Sequence, residues 1–480
     1  MLTDVVNGDS RLSLWSRVRE FAVPPSMIET ATARRAVGDW AGACAAAGID
    51  IDFDMRSLTS AHGRGLAAQV RADLRHLAPD LLRWHMPRIA PDGLLRPGLT
   101  LTLARYHAVG RAGPYPVHLV ARTPPAWADA GQRIGLALWD GSRDGVRPEA
   151  GGRGHPHPRP SRRHRLDLHR HLWDARRVGE LRERSGAASG GSRLGWSWPD
   201  DPVVAASERG CAVERWADEA AIVLRAEGRS SGTVLVRCGA RQRLLLDLDL
   251  DLHLDLEQGL GPGRGSTALR ITAVDGDDGA LGSLPVLPDA ATWPLPDLEL
   301  IRAGAIEADR LHPLVASALV PDHVRSGPVE PPEGAGRPRI VDCRGERHRI
   351  GLVDGALVAL DHDPAELRRE ELLVELTGTP LPCLRAIDEA HRRPDCLSGV
   401  RERLDHGDIA GALAVVEGLL GPEAVLRDGA LRDELESAAR GRIAYGLYRA
   451  GLTDLTRDRV RSNVGRRPTR HRRPRIATFF

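Results

Sequence analysis

Residues 233–256 read TVLVRCGARQRLLLDLDLDLHLDL. From Leu246 to Leu256 leucine holds every second position, with Asp247, Asp249, Asp251, His253 and Asp255 between. A period of two is that of a strand, with one apolar and one polar face. The run 233–237 is β-forming as well, and Gly239-Ala240 between the two supplies a turn. Two strands joined by so short a turn pair antiparallel. A further run at 268–274 and a short one at 284–287 extend the meander, with the turn residues Asp275-Gly276-Asp277-Asp278-Gly279 between them. Helical periodicity lies on both flanks of this sheet, so the class is α+β.

Upstream, residues 211–227 carry Val213, Trp216, Ala220 and Val223 on one helical face. Strands are expected at 99–104, 117–121 and 134–139. Before them the chain reads helical: 26–37 and 39–47, broken at Gly38, then 65–77 and 80–85. Between 167 and 184 a helix is expected, and another at 306–319. Downstream, 339–343 precedes a hairpin of 347–353 and 356–360 around Asp354-Gly355, a strong hairpin signal. Asp363-Pro364 then starts a helical region that runs to 452. Its last helix carries Leu431, Leu435, Ala439, Ile443 and Leu447 as one buried stripe. The chain thus parses as a helical module with a small sheet (1–140), an Arg/His/Gly-rich linker with one helix (141–209) and a helix with an antiparallel β domain (210–324). A linker (325–338), a hairpin with an all-helical module (339–452) and a disordered basic tail (453–480) complete it.

The 480 residues exceed one ordinary core. No lysine occurs, and asparagine only as Asn7 and Asn463. Both have AT-rich codons, so the bias points to a GC-rich bacterial genome. It also removes chemistry: a Walker A loop, a Schiff-base enzyme and a protein kinase each need a lysine. Cys44, Cys211, Cys238, Cys343, Cys383 and Cys396 are scattered without a CxxC pair, as suits buried thiols in a reducing compartment. A polar, acidic start and the lack of a long apolar run make the cytoplasm the expected location, with no membrane partner.

Four patterns bear on chemistry. His164, Asp167, His169 and His171 follow the linker histidines His155 and His157. On a strand, Asp167, His169 and His171 would share a face and could hold a divalent metal for hydrolysis. On a helix, His169 and His171 lie ~200° apart and cannot share one. The following LWDARRVGELRER is helix-forming and favours a solvated helix start. The carboxylates of 247–257 could take Ca²⁺ or Mg²⁺, yet same-face neighbours stand ~6.5–7 Å apart and metal ligands must converge from several segments. A charged solvent face is the simpler reading. The IDEAH of 387–391 lacks its apolar strand and a Walker A partner. The patterns Gly63-x-Gly65-x-x-Ala68 and Gly263-x-Gly265-x-x-Ala268 lack a strand–loop–helix setting.

Two features suit binding. Between Arg457 and Arg475 stand nine arginines and one acid. Arg459, Arg461, Arg466, Arg467, Arg470, Arg472, Arg473 and Arg475 could neutralise nucleic-acid phosphates without reading sequence. Residues 153–184 carry ten arginines against four acids. At either end, GDWAGACA (38–45) and GDIAGALA (407–414) echo each other, each opening an Ala-rich helix after Gly-Asp. That suits a helical hairpin, although chance similarity in an Ala/Gly-rich chain would also produce it. The expected function is therefore a non-enzymatic interaction or scaffold protein with a protein partner and no cofactor. A nucleic-acid-binding accessory protein and a metal-dependent hydrolase at 164–171 are the alternatives.

Overall fold

The computed structural model describes residues 11–107, 116–129, 131–141, 155–187, 202–239, 242–249, 268–274, 279–323, 339–343, 346–353, 356–359, 363, 365, 369, 395–420, 429–452 and 478–479. The chain divides into two compact units, Met1–Arg325 with Ala444–Phe480, and Ser326–Ile443.

In the first unit, helices α1 (Pro25–Ala36) and α2 (Trp40–Ala46) are joined at Gly38, whose φ of 79° suits only glycine well. Strand β1 (Ile49–Ile51) leads into α3 (Met55–His76), whose N-cap Asp54 accepts from the Ser57 amide. Helix α4 (Pro79–Trp84) opens on proline, where the missing N–H costs nothing. The two-residue strands β2 (Arg88–Ile89) and β3 (Leu94–Leu95) follow. Strands β4 (Thr100–Tyr106), β5 (Val117–Arg122) and β6 (Ile134–Trp139) form an antiparallel meander, and β1 adds parallel to β6, giving the order β1-β6-β5-β4. Most of β4 and β5 is buried, which explains their near-continuous apolar runs.

Helix α5 (Trp216–Ala226) packs against the second sheet, β7 (Gly232–Arg237), β8 (Arg243–Asp249) and β9 (Ala268–Val274), antiparallel in chain order. The register places Val234 opposite Leu246 and Leu248 opposite Leu269. In β8, Leu244, Leu246 and Leu248 are buried and Asp247 faces outward, as the alternation requires. Helix α6 (Pro296–Arg302) follows. One apolar core joins all these elements and contains Trp15, Trp84, Trp173 and Trp216, each at most 1% exposed.

The second unit holds an antiparallel sheet of β10 (Arg339–Cys343), β11 (Glu346–Val353) and β12 (Ala356–Ala359). Helices α7 (Asp395–His406) and α8 (Ile409–Leu420) follow, with the first part of α9 (Ala430–Arg449). Its small core is Val400, Leu404, Ala412 and Val416, covered by Leu431, Leu435 and Ala438. The α+β class holds, with helices at both ends and antiparallel sheets between. Among the described residues no helix is long and apolar enough to cross a membrane.

Four local expectations change. Residues 167–184 are no continuous helix: they run through turns, with 3₁₀ pieces at Arg170–Leu172 and Val178–Glu180 and one α turn at Leu181–Arg184. Residues 284–287 form no ladder strand; Val286 makes one isolated parallel bridge to Leu235. The helix expected at 306–319 breaks into Ala308–Arg310 and Pro313–Leu319, because Pro313 starts a new helix with the His312 ring as its cap. On α9, Ala439 and Ile443 face out. Each step of four overshoots a 3.6-residue turn by ~40°, so the stripe rotates off the buried face. The turns Asp354-Gly355 and 275–278, the linker 325–338 and tail residues 453–477 lie outside the described residues. Thr478–Phe479 pairs antiparallel with β2.

Candidate functional site

Residues 155–187, expected as linker and helix, are a strap laid over the first unit. Its backbone binds the edge of β4: the Ser161 amide donates to the Thr100 carbonyl (2.8 Å) and the Asp167 amide to the Thr102 carbonyl (2.9 Å). Further on, Ala78 donates to the Trp173 carbonyl (2.8 Å) and Ala175 to that of His76 (2.9 Å). Leu166, Leu172, Trp173, Val178 and Leu181 enter the core. These tertiary bonds outweigh the helix propensity of the segment.

The histidine and aspartate side chains do not converge. His169 Nε2 meets Glu219 Oε2 at 3.0 Å and its Nδ1 meets the Arg165 carbonyl at 3.1 Å. Asp167 takes both Arg165 Nε (2.9 Å) and Nη2 (2.8 Å), and faces Arg105 Nε at 3.2 Å. His171 stacks edgewise on His169 with ring centroids 5.7 Å apart. Burial pushes the His164 and His171 imidazoles well below the usual histidine range, with neighbouring cations adding to it. His155 holds the Thr123 carbonyl through Nε2 at 2.8 Å. Among the described residues no three His, Cys, Asp or Glu side chains form a metal-holding group. The geometry makes these residues fasteners of the strap.

The arginines of the strap are also largely committed. Arg184 grips Glu219 through Nε and Nη2, both 2.7 Å. Burial alone would raise the Glu219 carboxyl; His169 and Arg184 reverse this and hold it far below the usual carboxylate range. Arg170 and Arg176 both reach Asp174 (2.7 and 2.8 Å), and Arg176 reaches Asp73 at 2.7 Å. Tyr106 Oη donates to Asp73 at 2.8 Å. Arg165 also donates to Glu227 at 2.9 Å. Ion pairs that also hydrogen-bond satisfy the charges that burial would otherwise strand. Glu219 was legible: it stands three residues after Trp216 and one before Ala220, an acid inside the buried stripe of α5.

The Gly-Asp echo is structural. In the first copy Asp39 Oδ1 caps the Gly42 amide at 2.8 Å, Arg34 Nη1 donates to Asp39 Oδ2 at 2.8 Å, and the Asp39 amide returns to the Arg34 carbonyl at 2.9 Å. In the second, Asp408 Oδ1 caps Gly411 at 3.0 Å, Arg403 Nη1 donates to Asp408 Oδ2 at 2.8 Å, and the Asp408 amide reaches the Arg403 carbonyl at 2.8 Å. Gly38 and Gly407 both take positive φ, 79° and 84°. A Cβ on Gly42 or Gly411 would run into the capping carboxylate. Equivalent positions are buried in both copies: Ala31 and Val400, Ala43 and Ala412, Ala47 and Val416. Exposure differs at other equivalent positions: Val37 is 81% exposed and His406 1%, while Cys44 is 1% exposed and Leu413 42%.

Of the remaining motifs, Gly63 and Gly65 lie inside α3, which kinks at Gly63 (φ 85°). Cys44, Cys211 and Cys238 are buried free thiols, and burial pushes Cys44 up to about 12. Gly263, Gly265, the IDEAH of 387–391, carboxylates 251–257 and Arg459, Arg461, Arg466, Arg467, Arg470, Arg472, Arg473 and Arg475 lie outside the described residues. No family model, curated protein or solved structure matches the chain.

Proposed function

We propose that this chain is a non-enzymatic interaction or scaffold protein whose α7–α8 hairpin docks a protein partner. The supporting observation is the repeated latch and the exposed leucine that its second copy displays. The same Arg–Gly–Asp–Gly construction builds both hairpins, yet the position that Cys44 fills inside a core is held in α8 by a half-exposed leucine. An apolar side chain displayed by a small, latched helix pair is a surface that a partner helix can cover. The strap residues support the same reading, since their ionisable groups hold the fold together.

The test uses the full chain. Wild type and Leu413→Arg are captured from the source cells with nuclease present, and bound proteins are identified by mass spectrometry. A stable partner lost in Leu413→Arg, with unchanged circular dichroism, is the expected result. Identical partner sets in both, or turnover by the pure protein on a hydrolase panel, would overturn the reading.

A second reading rests on the nine arginines and one acid between Arg457 and Arg475. Such a segment binds nucleic acid through phosphates, with affinity that falls steeply with salt. Replacing Arg466, Arg467, Arg472 and Arg473 by glutamine should flatten that salt slope, and an unchanged slope counts against it.

A further inference from the structure

Most arginines of the strap meet a carboxylate, but at its start the balance changes. Arg237 and Arg243 are cross-strand partners at the end of the β7–β8 pair. Residues 284–287 run beside β7: Leu235 donates to the Pro285 carbonyl and Leu287 to that of Leu235, both at 2.8 Å. Arg162 reaches onto this same stretch, donating to the Gly282 carbonyl (2.5 Å) and the Leu284 carbonyl (3.2 Å). Its neighbour Arg163 pairs with the buried Asp289, whose amide donates back to the Arg163 carbonyl at 3.0 Å. Backbone pairing therefore brings Arg162, Arg163, Arg237 and Arg243 to one end of the second sheet, around Asp289.

The electrostatics agree with this geometry. After burial, the groups that most lower Arg237 are Arg243, Arg163 and Arg162, opposed by Asp289. Arg96 is likewise lowered by burial and by Arg163, and raised by Asp289. Arg237 Nε is buried and has no hydrogen-bond partner among the described residues. Burial pushes Asp289 up to about 6, against the pull of Arg163, Arg96 and Arg237. Arg163, Arg237 and Arg243 are partly buried near one buried carboxylate, Asp289, which Arg163 bonds, and Arg162 is exposed beside them. A multivalent oxyanion suits such a cluster, because its oxygens accept several forked N–H donors at once.

We propose that Arg162, Arg163, Arg237 and Arg243 form a binding site for a phosphate-bearing anion. Arg162 is exposed and the other three are partly so, which leaves an approach for the ligand. The phosphoryl oxygens are the recognised chemistry, and they can come from a free phosphate compound or from a nucleic-acid backbone. The proposal is independent of the functional readings above, since it uses neither the tail nor α8.

The experiment is calorimetric titration of the full chain with inorganic pyrophosphate, ATP and a single-stranded oligonucleotide, alongside Arg237→Gln, Arg163→Gln and Arg162→Gln. Saturable binding of at least one probe is expected, weakened by about tenfold or more in Arg237→Gln and in Arg162→Gln. Arg162→Gln guards against misfolding, because its side chain is exposed. Pyrophosphate or ATP binding assigns a free phosphate compound, and binding of the oligonucleotide alone assigns a backbone. Absence of binding by all three probes overturns the proposal. So does binding that survives all three substitutions, since it then arises elsewhere, the basic tail included.

Discussion

His171 shows what a single buried side chain does to this fold. Its ring is 2% exposed, and Nδ1 has no hydrogen-bond partner among the described residues. Burial holds its folded pKa well below the ordinary value, as it does for His164, and His118 is pushed down to about 4. Below pH ~6.5 the unfolded chain takes up protons that these folded imidazoles refuse, so stability falls as pH falls. Asp289 works the other way. Raised to about 6, it contributes stability that is full below the unfolded carboxyl pKa and lost as pH rises through 6. The histidines outnumber it between pH 7 and 5, and the depressed carboxylates, Glu219 among them, act only at lower pH. The melting temperature should therefore drop between pH 7 and 5. His171→Leu should shrink that drop, because each refused proton is worth about 1.4 kcal/mol per pH unit. Melting curves at the two pH values decide it: an equal drop in variant and wild type refutes this account of His171.

At the scale of elements, the latch sets a local rule that opposes helix propensity. Alanine is a better helix former than glycine by roughly 0.8–1 kcal/mol. Gly42→Ala should nevertheless destabilise the chain, because its methyl displaces the Asp39 carboxylate from the cap and from Arg34. Asp39→Ala alone should also destabilise, as a lost cap. The double variant should then be no worse than Asp39→Ala, since the clash and the cap disappear together; urea denaturation of the four proteins gives the cycle. Additive losses would show that Gly42 matters for another reason. Strands and caps of this kind were legible because they are local: Gly-Asp marks the cap, and alternation in 268–274 marks β9 to the residue. The strap was not, because its shape comes from partners far along the chain. His169 with Glu219 and Arg176 with Asp73 are pairings that no window of sequence contains. Its composition, rich in Arg and His, reads as solvated until those partners are in place.

At the scale of the whole molecule, the strap is the element that joins neighbouring pieces of the first unit into one body. It hydrogen-bonds to β4 and to the end of α3, sends Trp173 and Leu181 into the common core, and ties α5 through Glu219. A linker of the same composition would be the first place a protease cuts, and ten arginines make 153–184 rich in trypsin sites. The folded chain should behave oppositely. Under native conditions trypsin should leave bonds after Arg165, Arg170 and Arg184 intact until global unfolding, while cutting elsewhere. Half-buried ion pairs are screened less than surface pairs, so 1 M salt should change cleavage within the strap by no more than about twofold. Timed digestion read by mass spectrometry measures both effects. Early cuts after Arg165 or Arg170 would mean that the strap opens independently of the core, and with it the fastening role assigned to Glu219, Asp73 and Asp174 would fall.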